Sequence, residues 1–389
     1  MLTSMGIIII FGLLGSFLFK KIKLPGLIGM IIAGIIIGPS VCNLLGDSIL
    51  MLSPDLRKLA LVVILTRAGL SLKIDDLKKV GRPALLLCFV PASVEILAVT
   101  FVAPLFLGIN HIDAAIMGCV LAAVSPAVVV PRMIKMMEEG YGKKNNIPQM
   151  IMAGASVDDI YVIVLFTSLT TLAVSGQFNA TQILDVPISI VGGILLGIAV
   201  GLVLLFLFKY LKTRASVKLL IVLSVSLLVL EIETLLQDYV AISALLAIMS
   251  MGIVIKQKNP NLAEELSQKY NKLWVAAEII LFVLVGASVN LLYVKVAGLV
   301  SIAIVVIGLC VRMIGVWLSV VGTKLDKKER LFSMVAYTPK ATVQAAIGGI
   351  PLAMGLASGE AILTIAVLAI LITAPFGAIF IDKMYKKIK

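Results

Sequence analysis

Two adjacent carboxylates, Asp158 and Asp159, stand in the middle of a long apolar run, preceded by Gly154, Ala155, Ser156 and Val157 and followed by Ile160. Neighbouring side chains on a helix diverge by about 100°, so one carboxylate can face a cavity while the other turns toward an adjoining helix or base. An ionisable group deep in a membrane span costs about 2.5–3.5 kcal/mol on insertion scales, and two together require something positive to bind. Hard cations such as Na⁺ prefer oxygen ligands, and the same oxygens take protons. Proton and cation competing for one carboxylate, at a site that faces either side of a membrane alternately, is sufficient for exchange.

Glu95 and Arg312, each set in an apolar run, form a second constellation. Pairing is the least costly way to keep both in a bilayer. Such a pair could fix two halves of a transport domain, tune the aspartates, or act as a purely structural lock. Prolines mark two interruptions: Ala123–Pro131, with Ser125, Pro126 and Pro131, and Tyr337–Gln344, with Pro339, Lys340, Thr342 and Gln344, continuing to Gly348, Gly349 and Pro351. Proline removes a backbone donor and frees a carbonyl, so each site can unwind in mid-membrane or remain a kinked helix. Ser125, Ser156, Thr342 and Gln344 would add uncharged oxygens to an ion site. Lys340 would offset the negative carbonyl ends of half-helices or snorkel toward an interface. Arg67 reads as snorkelling, and the single histidine, His111, as a loop residue or a pH sensor.

The elements that must position these groups follow from composition. Hydrophobic types make up 61% of the 389 residues and charged types 14%, where a soluble chain carries about a quarter charged residues. A water-soluble globule is excluded. About thirteen apolar runs can be marked against the ~20 residues a helical crossing needs: 4–19, 26–45, 57–72, 83–107, 112–137, 148–174, 186–208, 216–235, 239–255, 273–290, 295–321, 329–357 and 361–382. A bilayer offers no partners to backbone groups, so these runs are helices, and the alternating segments of a β-barrel are missing.

Most of the Lys and Arg behind the net charge of +12 fall at one face, in 20–23, 73–82, 132–144, 209–218, 256–272, 324–330 and the tail 383–389, against Arg57, Lys58 and Lys295 at the other. The positive-inside rule then places the N-terminus outside and the C-terminus in the cytoplasm, with 256–272 as a charged connection between the ninth and tenth runs. No basic run is interleaved with aromatics, which argues against nucleic acid as a partner. Cys42, Cys88, Cys119 and Cys310 lack metal or redox spacing and read as small buried side chains. No Gly-rich phosphate loop speaks for ATP use. Met1–Phe19 carries its charges at the far end and reads as a membrane helix rather than a signal peptide. The short N-terminus and lack of tails suggest a bacterial cytoplasmic membrane.

The two interrupted runs are seven apart, as are those carrying Glu95 and Arg312. A seven-run offset in a thirteen-run chain reverses orientation, so two six-helix units joined by a linker would form an inverted repeat. Transporters place pairs of discontinuous helices at the midplane of such repeats.

Jointly, Ala-Val-Ser-Pro-Ala-Val-Val-Val-Pro (123–131), Gly-Ala-Ser-Val-Asp-Asp-Ile (154–160) and Pro-Lys-Ala-Thr-Val-Gln-Ala-Ala-Ile-Gly (339–348) resemble the signatures of NHA-type sodium/proton antiporters of the cation:proton antiporter superfamily. Leu-Thr-Arg-Ala-Gly-Leu (65–70), Val94-Glu95 and Val311-Arg312 fit the same branch, and the resemblance covers nearly the whole chain in order. It implies an all-α polytopic homodimer of the sodium/proton antiporter fold, with thirteen spans. A dimerisation scaffold would comprise 1–72 and 216–290, a core ion-transport domain 83–174 and 295–389, and a linker helix 186–208. The fifth and twelfth spans would cross as broken helices near the aspartates. Asp159 would be the principal carrier of cation and proton, with Asp158 assisting, and Na⁺ or Li⁺ and H⁺ would be cargo of a transporter that needs no cofactor and is not an enzyme. Double-Asp relatives often keep a lysine that pairs with the first Asp in the eleventh or a neighbouring span. Here that span carries Arg312, which stays charged, so electroneutral exchange competes with electrogenic exchange. Two other readings stay open: a sodium-coupled symporter of an organic anion, which the paired acids disfavour, and a gated cation channel or non-transporting sensor.

Overall fold

A computed structural model describes residues 1–72, 81–142, 144–175, 180–211, 213–236 and 242–388. Lys73, Lys78, Lys79, Lys143, Lys212 and Lys389 of the charge pattern, and residues 239–241 of the ninth expected run, lie outside them. The described residues form helices and their connections, without a strand.

Nine helical stretches among the described residues are long and apolar enough to cross a membrane: Leu2–Lys21, Arg82–Leu107, His111–Glu138, Ile147–Ala173, Ile188–Tyr210, Ala215–Leu236, Pro260–Ala287, Leu291–Val320 and Gly359–Lys387. The remaining expected runs are helical but shorter or more charged. Gly26–Ile37 and Thr342–Ala353 are short apolar segments, Ala244–Lys258 has 15 residues, and Ser53–Ser71 contains Asp55, Arg57, Lys58 and Arg67.

Two expectations are corrected. The connection 256–272 is mostly helix: Ala244–Lys258 ends at Asn259, and Pro260–Ala287 begins at once. Proline is preorganised for a first helical position, and Asn259 Oδ1 accepts from the Leu262 amide at 3.1 Å, capping the new helix. The run 83–107 is itself interrupted, as helix Arg82–Leu87 stops and Val90–Leu107 restarts after Phe89 (φ −129°). Pro91 lacks the N–H that would have continued the first helix across this joint.

The chain divides into two compact units. One, 55–74 and 163–278, holds helices Ala180–Tyr210 and Ala244–Lys258 side by side. In it Glu278 acts electrostatically on Arg67, so the arginine expected to snorkel has a carboxylate within its own unit. The other unit, 1–54, 75–162 and 279–389, contains every candidate site residue. Between membrane helices close packing, rather than hydrophobic transfer, drives association. Its dense core joins Ile147, Met150, Ile151 and Ala155 to Val129, Met133 and Met136, to Phe332, Ala336 and Tyr337, and to Val316 and Val320. The helix bearing the aspartates, both interrupted helices and the helix bearing Arg312 are thereby packed on one another.

Candidate functional site

The first interruption is a true break. Helix His111–Ala122 starts on an Asn110 cap, whose Oδ1 accepts from the Asp113 amide at 2.8 Å, and ends at Ala123 in extended backbone. Ser125 is also extended, and Pro126 opens the second half, Pro126–Glu138. Pro131, expected as part of the break, lies inside that continuous half-helix. Arg132 Nη1 donates to the Val128 carbonyl at 2.8 Å, supplying a donor beside the one proline removes. The second break is wider. Lys327–Ala336 begins with a reciprocal cap between Asp326 and Glu329, the chain leaves helix from Thr338 to Ala341, and Thr342–Ile347 follows. Asn145 Nδ2 donates to both Glu329 oxygens at 3.0 and 2.9 Å, tying the turn before the aspartate helix to this cap.

The two breaks touch. The Ser125 amide donates to the Pro339 carbonyl at 2.8 Å. The Lys340 amide donates to Thr373 Oγ1 at 2.8 Å, pinning the second break to helix Gly359–Met384. On that helix a side chain at Gly377 would come within 2.5 Å of the Pro339 ring, so the close approach requires glycine.

Arg312 lies at the centre, fully buried. Its Nε donates to the Tyr337 carbonyl at 2.8 Å and its Nη1 to the Ala122 carbonyl, the terminal carbonyls of the two half-helices. Helix C-termini carry partial negative charge, and one guanidinium meets both. Nη1 also donates to Glu95 Oε2 at 3.0 Å and Nη2 to Asp158 Oδ2 at 2.8 Å. Arg312 thus joins Glu95, as expected from their spacing, but not as an isolated pair. Lys340, expected to offset the half-helix carbonyls, instead places Nζ on both Glu95 oxygens at 2.8 and 2.7 Å. The other carbonyls of the first break, Leu121 and Ala123, accept from Gln344 Nε2 at 3.3 and 2.8 Å.

Glu95, Asp158, Arg312 and Lys340 are all fully buried and sum to zero charge. Asp158 Oδ2 is further held by the Val124 amide at 2.9 Å. Asp159 differs: it is half-buried, and among the described residues it makes no salt bridge and its buried Oδ1 has no hydrogen-bond partner. Ser125 Oγ, Thr342 Oγ1, Gln344 Oε1 and Asp158 Oδ1 are likewise buried oxygens without partners among the described residues. Ser156 is placed otherwise, its hydroxyl donating to the Met152 carbonyl of its own helix at 2.8 Å. No group of three His, Cys, Asp or Glu gathers among the described residues as a multidentate metal site would. Exposed His111 sits at the start of its helix, with Nδ1 3.1 Å from the Thr100 carbonyl.

Sequence reasoning missed three features of the site, carried by five residues. Lys340 and Asp158 were not tied to Glu95 and Arg312, because long-range side-chain partners leave no spacing signal. Tyr337 lies beneath Arg312, ring centroid to guanidinium 5.6 Å, and was quoted only as the edge of a break. Ser93 and Tyr161, 2.7 Å apart, join the Glu95 helix to the aspartate helix. Their positions two residues from Glu95 and Asp159 were the available signal.

The family model described as sodium/hydrogen exchanger, transmembrane, matches residues 6–386. Sodium/hydrogen exchanger 9B2 of Homo sapiens is 33% identical, over 97% of this chain and 73% of its own length. Sodium/hydrogen exchanger 9B1 of Homo sapiens is 31% identical over 92% and 71%. Among solved structures, the sodium proton antiporter MjNhaP1 of Methanocaldococcus jannaschii superposes with a TM-score of 0.83 at 19% identity, covering 96% of this chain and 94% of its own, so the two share a fold.

Proposed function

The chain belongs to the sodium/hydrogen exchanger family, and from that premise we propose that it exchanges Na⁺ or Li⁺ for H⁺ across a membrane by alternating access, with Asp159 as the carrier. The observation that carries this reading is the charge count. Glu95, Asp158, Arg312 and Lys340 compensate one another through contacts of 2.7–3.0 Å, leaving Asp159 as the carboxylate without a cation. A bare carboxylate in a low-dielectric setting is costly. Asp159 therefore travels loaded, with a proton or a metal cation, and exchanges its load only where water reaches it. That condition is the coupling: an empty, ionised carrier has the highest barrier to crossing.

A cation at Asp159 needs more oxygens than one carboxylate provides. Ser125 Oγ, Thr342 Oγ1, Gln344 Oε1 and Asp158 Oδ1 supply them without new charge. Asp158 assists with its open oxygen while Arg312 and the Val124 amide hold the other. Ser156 contributes through its lone pairs alone, its proton being engaged by Met152. The moving part is the core of 83–174 and 295–389, working against a dimer scaffold of 1–72 and 216–290 through the linker helix 186–208. The arrangement is thirteen spans in two inverted repeats, N-terminus outside and C-terminus cytoplasmic. The relatives compared are animal proteins, and the bacterial setting expected above draws no support from them.

The test is proton movement in proteoliposomes loaded with an internal pH dye and challenged with Na⁺, Li⁺ or K⁺. Na⁺ or Li⁺ is expected to move protons through the wild type and not through Asp159→Asn. Exchange retained by a folded Asp159→Asn protein would remove Asp159 from the mechanism.

A further inference from the structure

Tyr337 is completely buried, and its hydroxyl has no hydrogen-bond partner among the described residues. Leaving such a group unpaired is unfavourable, and phenylalanine would fill the same space without that burden. A second residue is adapted to the same hydroxyl. Gly154 lies directly against it, and any Cβ at 154 would collide with the hydroxyl oxygen. The sequence thus accommodates a phenol where the packing alone asks for a phenyl ring.

The hydroxyl lies against the helix that carries the aspartates. Gly154 and Asp158 lie four residues apart on one helix and so share a face, with an axial separation of about 6 Å. Helical side chains lean toward the N-terminal turn, which carries the Asp158 carboxylate down toward Gly154 and the Tyr337 hydroxyl. Both Asp158 and Asp159 act electrostatically on the phenol. Of the two Asp158 oxygens, Oδ2 is engaged by Arg312 and Val124, while Oδ1 is buried without a partner among the described residues. The unpaired Tyr337 hydroxyl lies against Gly154 and the unpaired Asp158 Oδ1 belongs to the residue one turn further along the same face, where a water between them would satisfy both.

We propose that Tyr337 is a positioning residue for the transported cation: its hydroxyl and Asp158 Oδ1 hold between them a water that completes the coordination shell of a monovalent cation on Asp159. The inference rests on the exchange reading above and deepens it. Water held from both sides is a better cation ligand than bulk water, because its dipole is already oriented. Tyr337 keeps its proton throughout. Its ring is fixed by the stack on Arg312, and its own carbonyl by Arg312 Nε.

The experiment compares the full-length wild type with Tyr337→Phe in the proteoliposome assay, titrating Na⁺ and Li⁺, beside cation-dependent thermal stabilisation of each purified protein. Losing one oriented water ligand is expected to raise the apparent KM for Na⁺ about fivefold to tenfold. Vmax should stay within about twofold, and the stabilisation curve should move to higher Na⁺ in parallel. An unchanged KM, or a fall in Vmax at constant KM, overturns the proposal. So does a Tyr337→Phe protein that does not fold, since the hydroxyl would then be structural. A wild type that moves no protons with any cation, yet is still stabilised by Na⁺ less readily after Tyr337→Phe, would retain the site and overturn only the exchange reading.

Discussion

Glu95 meets two cations, and removing one charge at a time should separate ion pairing from packing. Lys340 Nζ lies 2.8 and 2.7 Å from the Glu95 oxygens. At an effective dielectric constant of about 20, two unit charges that close attract by roughly 6 kcal/mol before desolvation is subtracted. Breaking a buried pair from one side typically costs about 3–5 kcal/mol, because the partner is left charged and unpaired. Glu95→Gln leaves Arg312 and Lys340 facing Asp158 alone, a net charge of about +1 by this counting. Lys340→Met leaves Glu95 and Asp158 sharing Arg312, a net charge of about −1. Each single variant should therefore lose most of that ~3–5 kcal/mol in reversible unfolding from detergent, while the double variant restores neutrality and recovers at least ~2 kcal/mol of the summed loss. The double variant should also keep measurable Na⁺/H⁺ exchange, which the Glu95→Gln protein loses through repulsion of the cation. A coupling free energy below about 0.5 kcal/mol, the range of independent sites, would refute the compensated quartet and the charge count built on it.

Further outcomes follow from the same contacts. Arg312→Lys keeps the charge but cannot reach Glu95, Asp158 and the Tyr337 and Ala122 carbonyls together, since an ammonium lacks the planar fork. Stability should fall by about 3 kcal/mol or more, with exchange abolished, as read by thermal unfolding and the pH-dye assay. Gly377→Ala drives a Cβ to 2.5 Å from the Pro339 ring. It should cost about 1–3 kcal/mol as overpacking and lower Vmax by displacing the second break, whereas Ala at the half-buried Gly6, where an added Cβ meets nothing within 4 Å, should change neither.

The sequence made the helices and the interruptions readable because both are local matters. Apolar length marks spans, and a missing proline N–H marks a break. Where locality failed, so did the reading. Pro131 looks like Pro126, yet the helix Pro126–Glu138 continues through it, since a proline removes one donor without fixing whether its neighbours leave the helix. The restart at Val90 was missed because Pro91 was not weighed against a continuous apolar run. Glu95 and Arg312 could be matched, since opposite charges buried in two apolar runs invite pairing. Lys340 could not, because two cations and three candidate anions admit several matchings, and only the meeting of the breaks brings its Nζ to Glu95. The distinction between the two aspartates was also out of reach. Adjacent positions fix a 100° divergence but not which carboxylate meets Arg312.

That distinction decides how much charge moves. Arg312 cannot shed its proton under any condition the protein meets, and it holds Asp158 at 2.8 Å while clamping the ends of both half-helices. Protonating Asp158 during transport would leave a fixed cation partly unpaired where the breaks meet, so the proposed cycle keeps the quartet's charge constant. With Asp159 as the proposed carrier, H⁺ and Na⁺ would each neutralise it by the same single charge. On that proposal the translocating form would carry equal charge in both directions, and one-for-one exchange is the expected outcome. A membrane potential acts on each net charge with about 2.3 kcal/mol per 100 mV, equivalent to a roughly fiftyfold shift of the Na⁺ gradient held at static head if one charge moved per cycle. In proteoliposomes clamped with K⁺ and valinomycin, the Na⁺ gradient balanced by a fixed pH gradient is expected to be the same at 0 and about 100 mV. A gradient that follows the potential would mean that a second group titrates, either Asp158 releasing Arg312 or Lys340 releasing Glu95.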